Sequence, residues 1–234
     1  MSEWAMKRFW TAVSVAPEGE GFAVKLDNRS VKTPAKRALV LPTQAVADCV
    51  ASEWEAQVET VDPASMPWTR SANAAIDKVA TQRAEVIAHL ADYAGSDLLC
   101  YRAEGPDSLV ARQARAWGGL LDWAQAEFGA RLAVTQGVMP VQQDPSQVAP
   151  LVGAMQSMTE FQLTGFHDLV TLSGSYVIGL AAAENHRSAD ELWAMSRLDE
   201  DWQIEQWGED EEASETAALK KAAFLHAREV YHSS

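Results

Sequence analysis

The 234 residues are 47% hydrophobic and set 19 Lys and Arg against 33 Asp and Glu, a formal charge of −14. That much apolar material can core one large or two small domains, and the negative charge repels nucleic acid and anionic lipid. Two cysteines, Cys49 and Cys100, are too few for a disulfide framework and match no thiolate metal motif, so a reducing compartment is expected.

Met1 to Trp10 has neither the apolar core of a secretory signal nor an Arg- and Ser-rich transit character, and no run of about 18 apolar residues could span a bilayer. A soluble, unprocessed chain without membrane insertion is expected. From Lys7 to Leu41 the texture is that of short strands: Phe22, Val24 and Leu26 alternate with Ala23, Lys25 and Asp27, the period of a strand with one buried face. Asp27-Asn28 tolerates a left-handed backbone and Val31 resumes the pattern, which predicts a hairpin. After Pro42 the period becomes helical. Thr43 is the expected N-cap of a helix buried along Val46, Val50 and Trp54.

Val110, Ala114, Trp117, Leu121, Ala124 and Phe128 step by three and four along one face of a helix ended near Gly129. Asp168 to Ala183 is apolar nearly all round and carries Ser173, Gly174, Ser175 and Gly179, which predicts a helix packed closely on its neighbours. Ser188 and Glu191 form a capping box opening a helix with Leu192, Met195 and Trp202. Leu98 to Tyr101 and Arg131 to Thr135 are candidates for extra strands. The fold class is therefore α+β: a small N-terminal α+β domain of short antiparallel strands over residues 1–70, and a larger helical domain over 71–234.

Motifs for chemistry are lacking. The sequence has no Gly-rich phosphate loop, no HExxH, and no GxSxG elbow to complete a triad with His167-Asp168, which reads as a helix-start pair. No catalytic residue, cofactor or metal is expected. The chief anomaly is the segment from Asp199 to Glu215, where nine acidic residues with no Lys or Arg hold most of the net charge. A solvated helix face explains charge alone, but Trp202, Ile204 and Trp207 among the acids favour a protein-binding surface.

Several strings in one order resemble the family of assembly chaperones (the Atp-twelve family) that handle the alpha subunit of the F-type ATP synthase headpiece. They are Leu26-Asp27-Asn28-Arg29 with Lys32-Thr33-Pro34, Glu53-Trp54 with Gln57, Met66-Pro67, Asn73-Ala74-Ala75-Ile76-Asp77, Asp97-Leu98-Leu99-Cys100-Tyr101-Arg102, and Ser196-Arg197-Leu198-Asp199-Glu200 running into Trp202-Gln203 and Trp207-Gly208. The likeness runs from Arg8 to about Glu212. It departs at Asn28, where glycine is usual, and at Gly118-Gly119, where Asp-Pro is usual.

The resemblance implies a small α+β domain before a helical one, and a function without turnover: the chaperone shields the alpha-subunit surface that later meets the beta subunit. With the acidic segment, it nominates Arg197, Glu200, Asp201, Glu205, Trp207 and Glu209 as partner-binding residues, with Arg197 also set to pair with Asp201 at i+4. It points to a bacterial cytoplasmic protein or a processed protein of the mitochondrial matrix. Two other readings are a general acidic adaptor or holdase, separated by client range, and an enzyme using the acidic C-terminal segment, separated by turnover. The oligomeric state is left open.

Overall fold

Period-two alternation builds the first sheet. Strands β1 (Val13–Glu18) and β2 (Gly21–Leu26) pair antiparallel with Val15 opposite Val24, and β2 also pairs with β3 (Arg29–Ser30) and β4 (Val40–Leu41). Asp27 makes the β2–β3 turn at φ 54°, and its carboxylate accepts from Ala12 N, Thr11 Oγ1 and Thr11 N at 2.9–3.0 Å. Those bonds hold it below the usual carboxylate range. A side chain at Gly21 would stand 2.4 Å from the Leu41 carbonyl oxygen, so only glycine lets β4 close on β2.

The computed structural model describes residues 6–137 and 139–234; residues 1–5, where the segment read for a targeting signal begins, lie outside the described residues. The chain forms two units. One comprises the residues through Arg83 with Thr159–Gly165 and Glu229–Ser234, the other Ala84–Met158 with Phe166–Arg228.

In the first unit, helix α1 (Gln44–Glu55) starts at Thr43, whose hydroxyl accepts from Val46 N, and buries Val46, Val50 and Trp54 as expected. They join Trp10, Val24, Leu26, Val31, Leu39, Leu41 and Met66 in one core, against which Phe161 also packs. Helix α2 (Pro67–Ala74) continues into one wide turn over Ala75–Val79.

In the second unit, α3 (Arg83–Gly95) begins at the boundary and leads through a tight turn to β5 (Tyr101–Arg102), which pairs parallel with β6 (Thr135–Gln136). Helix α4 (Asp107–Phe128) ends at left-handed Gly129 as the spacing predicts. Its buried stripe is rotated from the expected one, running through Leu109, Gln113, Trp117, Leu120 and Ala124, while Ala114 is exposed. A buried glutamine breaks the apolar pattern there.

Helix α5 (Pro145–Gly153) is followed by α6 (Glu160–Ser173) and α7 (Tyr176–Ala183). The expected single helix over 168–183 is corrected: Gly174 at φ 71° ends α6, and the Ser175 hydroxyl caps α7 by accepting from Ile178 N. His167-Asp168 lies within α6, not at a helix start, with Nδ1 to Oδ1 at 3.0 Å. The helix opened by the Ser188–Glu191 capping box is also two: α8 (Ala189–Ser196) and α9 (Leu198–Trp207), followed by α10 (Glu211–Ser233). Trp202 belongs to the second.

Candidate functional site

The acids inside the family-like strings act mostly as scaffold. The Glu53 carboxylate accepts from Trp68 N (2.6 Å), Thr69 N (2.8 Å) and Thr69 Oγ1 (2.7 Å), satisfying donors that the start of α2 leaves open. Buried Gln57 accepts from Asp62 N and donates to the Glu53 carbonyl and Ser65 Oγ. Asp77 accepts from Thr33 Oγ1 (2.8 Å) and Ala35 N (3.0 Å), pinning the loop before β4.

Asp97 is fully buried and accepts from Leu99 N, Val177 N and Ser175 Oγ, joining the turn before β5 to the start of α7. Burial pushes it up to about 6, against the pull of hydrogen bonds from Val177, Leu99, Ser175 and Tyr176. Cys49 and Cys100 are both free thiols, and burial pushes Cys100 up to about 12, so it is held as a thiol. Among the described residues, no group of three or more His, Cys, Asp and Glu is arranged to hold a metal ion.

The six nominated residues lie along α9 and its two ends. Arg197 occupies the joint between α8 and α9 at φ −101°, ψ 9°: its N–H closes α8 on the Trp193 carbonyl, and its own carbonyl accepts from Asp201 N at 2.8 Å. Its guanidinium pairs with Glu200 at 2.9 Å, three residues on, and not with Asp201 as the i+4 spacing suggested. The non-helical backbone at Arg197 starts the helix one residue later, so the side chain reaches the nearer acid. Asp199, Glu200 and Asp201 fill the first turn of α9, where the helix dipole favours negative charge.

Helix α9 is moored to α4 at two points. Asp199 accepts from Gln113 Nε2 at 2.7 Å, and Glu205 takes both nitrogens of Arg112 in a fork at 2.8 Å each. The fork holds Glu205 below its ordinary range and Arg112 above its own. The Gln113 side-chain oxygen accepts from Ala103 N, and its carbonyl accepts from Arg102, whose guanidinium lies 5.2 Å from the Trp117 ring centre. The Trp117 indole N–H donates to the Met195 carbonyl at 2.8 Å. Two strings far apart in sequence, Asp97 to Arg102 and Ser196 to Glu200, are thus fastened to the same two turns of α4. Arg112 and Gln113 carry no family-like motif, and no sequence signal distinguished them from surface residues of α4.

The outward side of α9 is different. Trp207 is 75% exposed and stands edge-on to Trp202, ring centres 5.8 Å apart and planes at 90°. Ile204 and, on α10, Leu219 are exposed too. Gly208 at φ 92° ends the helix; Glu209 accepts from Ser214 Oγ at 2.6 Å, and Asp210 caps α10 by accepting from Ala213 N. Partial loss of water and the charge of Glu205 raise Asp201, with Arg197 and Arg112 opposing. A cleft of about 380 Å³ opens between the α8–α9 joint and α10, lined by Arg197, Asp210, Glu212, Thr216 and Lys220. Of the nominated acids, Glu200 and Glu205 already hold cations and Glu209 a hydroxyl; Trp207 is the large apolar group left to solvent. This arrangement can attract a partner by charge and grip it by an indole.

Residues 7–125 match the family model described as ATP12 chaperone protein. A mitochondrial protein of Schizosaccharomyces pombe, Protein atp12, is 22% identical over 90% of this chain and 77% of its own length. The crystal structure of Atp12 from Paracoccus denitrificans is similar at 48% identity and a TM-score of 0.93, covering 98% of this chain and 99% of that one. The Atu1473 protein of Agrobacterium tumefaciens is 42% identical with a TM-score of 0.92, over 97% of this chain and 85% of that one.

Proposed function

Because the chain belongs to the ATP12 chaperone family, whose members act in ATP synthase assembly, we propose that it holds the unassembled alpha subunit of the headpiece until the beta subunit replaces it, without catalysing a reaction. The observation that carries the reading is the exposed Trp207, set against Trp202 on a helix whose first turn carries Asp199, Glu200 and Asp201. An unassembled subunit exposes a large apolar interface prone to self-association. A chaperone for it needs affinity concentrated in a few aromatic anchors and charges that steer encounter.

Arg197, Glu200, Asp201, Glu205, Trp207 and Glu209 form the proposed contact face, with different tasks. Glu205 fixes the helix on Arg112 and contributes field; Trp207 supplies grip. The relatives come from bacteria and from a mitochondrion, which supports placing this protein in a bacterial cytoplasm or a mitochondrial matrix.

The test is kinetic. Purified alpha subunit should bind the folded protein near equal stoichiometry, stay soluble, and be released on addition of beta subunit. Trp207→Ala should mainly speed dissociation, while Glu209→Lys should slow association and flatten its salt dependence. A folded parent that neither binds alpha subunit nor delays its aggregation overturns the reading; equal protection of many unrelated clients would make it a general holdase.

A further inference from the structure

Two imidazoles from different helices meet on the second unit. His89 on α3 and His167 on α6 have ring centres 5.8 Å apart and planes inclined at 34°. The pair is open to water: His89 is exposed and the His167 side chain is 36% exposed.

Each ring is held by a neighbour on its own helix. Tyr93, one turn after His89, stands edge-on to it with ring centres 5.5 Å apart. Asp168 Oδ1 lies 3.0 Å from His167 Nδ1. A carboxylate can only accept, so the ring proton sits on Nδ1 and the Nε2 lone pair is left free. A carboxylate placed in this way fixes the tautomer and orientation of a metal-binding histidine and raises its basicity. Among the described residues neither His89 nitrogen takes part in a hydrogen bond, so its lone pair is uncommitted as well.

The separation suits a single ion. With metal–nitrogen bonds of about 2.1 Å, the centres of two rings on one ion stand roughly 5–6.5 Å apart, and 5.8 Å falls inside that span. The charge along both helices favours a cation. Glu85 lies one turn before His89, Asp92 three residues after it, and Asp168 beside His167. Helix α6 carries no Lys or Arg, and the only one on α3 is Arg83 at its first residue.

We propose that His89 and His167 form a site for a divalent transition-metal ion of the zinc class, with one nitrogen ligand from each ring and Asp168 as the positioning residue. Imidazole selects zinc, copper or nickel over magnesium and calcium, which take oxygen ligands. Among the described residues no third His, Cys, Asp or Glu joins the pair. The ion therefore keeps positions open to water and exchanges with solution, unlike a closed four-ligand structural site. Because its ligands come from α3 and α6, it ties two helices together and stabilises the folded chain by linkage. The site does not depend on the chaperone reading.

Two arms test it. In the first, the full isotope-labelled chain, freed of metal by a chelator, is titrated with zinc sulfate and separately with magnesium sulfate. Zinc should bind at one ion per chain and move the ring resonances of His89 and His167 before those of His186, His226 and His232. Magnesium at the same concentration should move neither. No shift of the two rings, an equal response of all five histidines, or an equal response to magnesium overturns the site.

In the second arm, calorimetric zinc titrations compare variants with unchanged circular dichroism. His89→Gln and His167→Gln should each weaken binding at least tenfold, and His186→Gln should leave it unchanged. Zinc should raise the melting temperature of the parent but not of His89→Gln. Full affinity in either His89→Gln or His167→Gln overturns the pair as ligands. Asp168→Ala keeps both ligands, yet should weaken binding about tenfold and move the His167 ring proton from Nδ1 toward Nε2, read from the ring nitrogen shifts. Parental affinity with unchanged shifts overturns the positioning role of Asp168.

Discussion

Asp97 gives the molecule a predictable pH dependence. Its ordinary value of 3.8 is raised to about 6 by burial, because among the described residues no cation is paired with the carboxylate and its hydrogen bonds from Leu99, Val177 and Ser175 offset the lost water only in part. The folded protein therefore binds this proton more tightly than the unfolded chain. Stability contributed at this position grows as pH falls from about 6 to about 4, at about 1.4 kcal/mol per pH unit and about 3 kcal/mol in all. Above pH 7 the contribution is flat at its lowest level.

The reference is Asp97→Asn, which does not titrate there. The variant pays its own cost, because an amide N–H replaces an acceptor facing the Leu99 or Val177 N–H, about 1–3 kcal/mol. That cost is constant with pH. Urea unfolding followed by tryptophan fluorescence at pH 8, 7, 6 and 5 gives stability for both proteins, and the parent-minus-variant difference isolates Asp97 from carboxylates that titrate in both. The difference should rise by about 1 kcal/mol between pH 7 and pH 5. A difference that does not move with pH, or that grows as pH rises, refutes the argument.

Gly179→Ala should destabilise the second unit by about 1–3 kcal/mol, since the new methyl would stand 2.6 Å from Val170 Cγ2 and 3.3 Å from Phe166 Cε2; an unchanged melting temperature would count against the packing described. Trp54→Ala should cost about 3–5 kcal/mol by emptying the first unit's core, where Trp54 is only 8% exposed, and a variant as stable as the parent would remove it from that core. Gln113→Ala should cost about 1–3 kcal/mol in thermal unfolding because Ala103 N loses its acceptor and Asp199 its donor; no loss would show that α9 is not moored there. The proposed division near residue 70 is testable by limited proteolysis, with early cuts expected at residues 60–75 or 142–145; cleavage confined to the termini would argue for one indivisible domain.

Local patterning carried much of the fold. The β1–β2–β3 hairpin follows from alternation and a turn residue that accepts positive φ, and the start of α1 from Thr43, because strand period and cap chemistry involve residues close in sequence. The end of α4 at Gly129 and the acidic, tryptophan-bearing character of 199–215 were legible for the same reason. The helix breaks at Gly174 and Arg197 were not: an apolar run and a capped run both read as continuous until tertiary bonds compete for the backbone, as when the Asp97 carboxylate takes the Val177 N–H and the Ser175 hydroxyl.

Partner choice was the larger gap. Sequence spacing favoured Arg197 with Asp201, but the non-helical turn between α8 and α9 sets it on Glu200. Glu205, read as an acid free for a client, is held by Arg112, ninety-three residues away in the chain. The sequence by itself determined which segment is acidic and aromatic, since charge and indole content are properties of composition. Only the tertiary structure decided which of those groups are already spoken for. Packing α9 on α4 consumes Asp199 and Glu205 and leaves Trp207 in water, because a polar contact across distant helices depends on where both backbones lie.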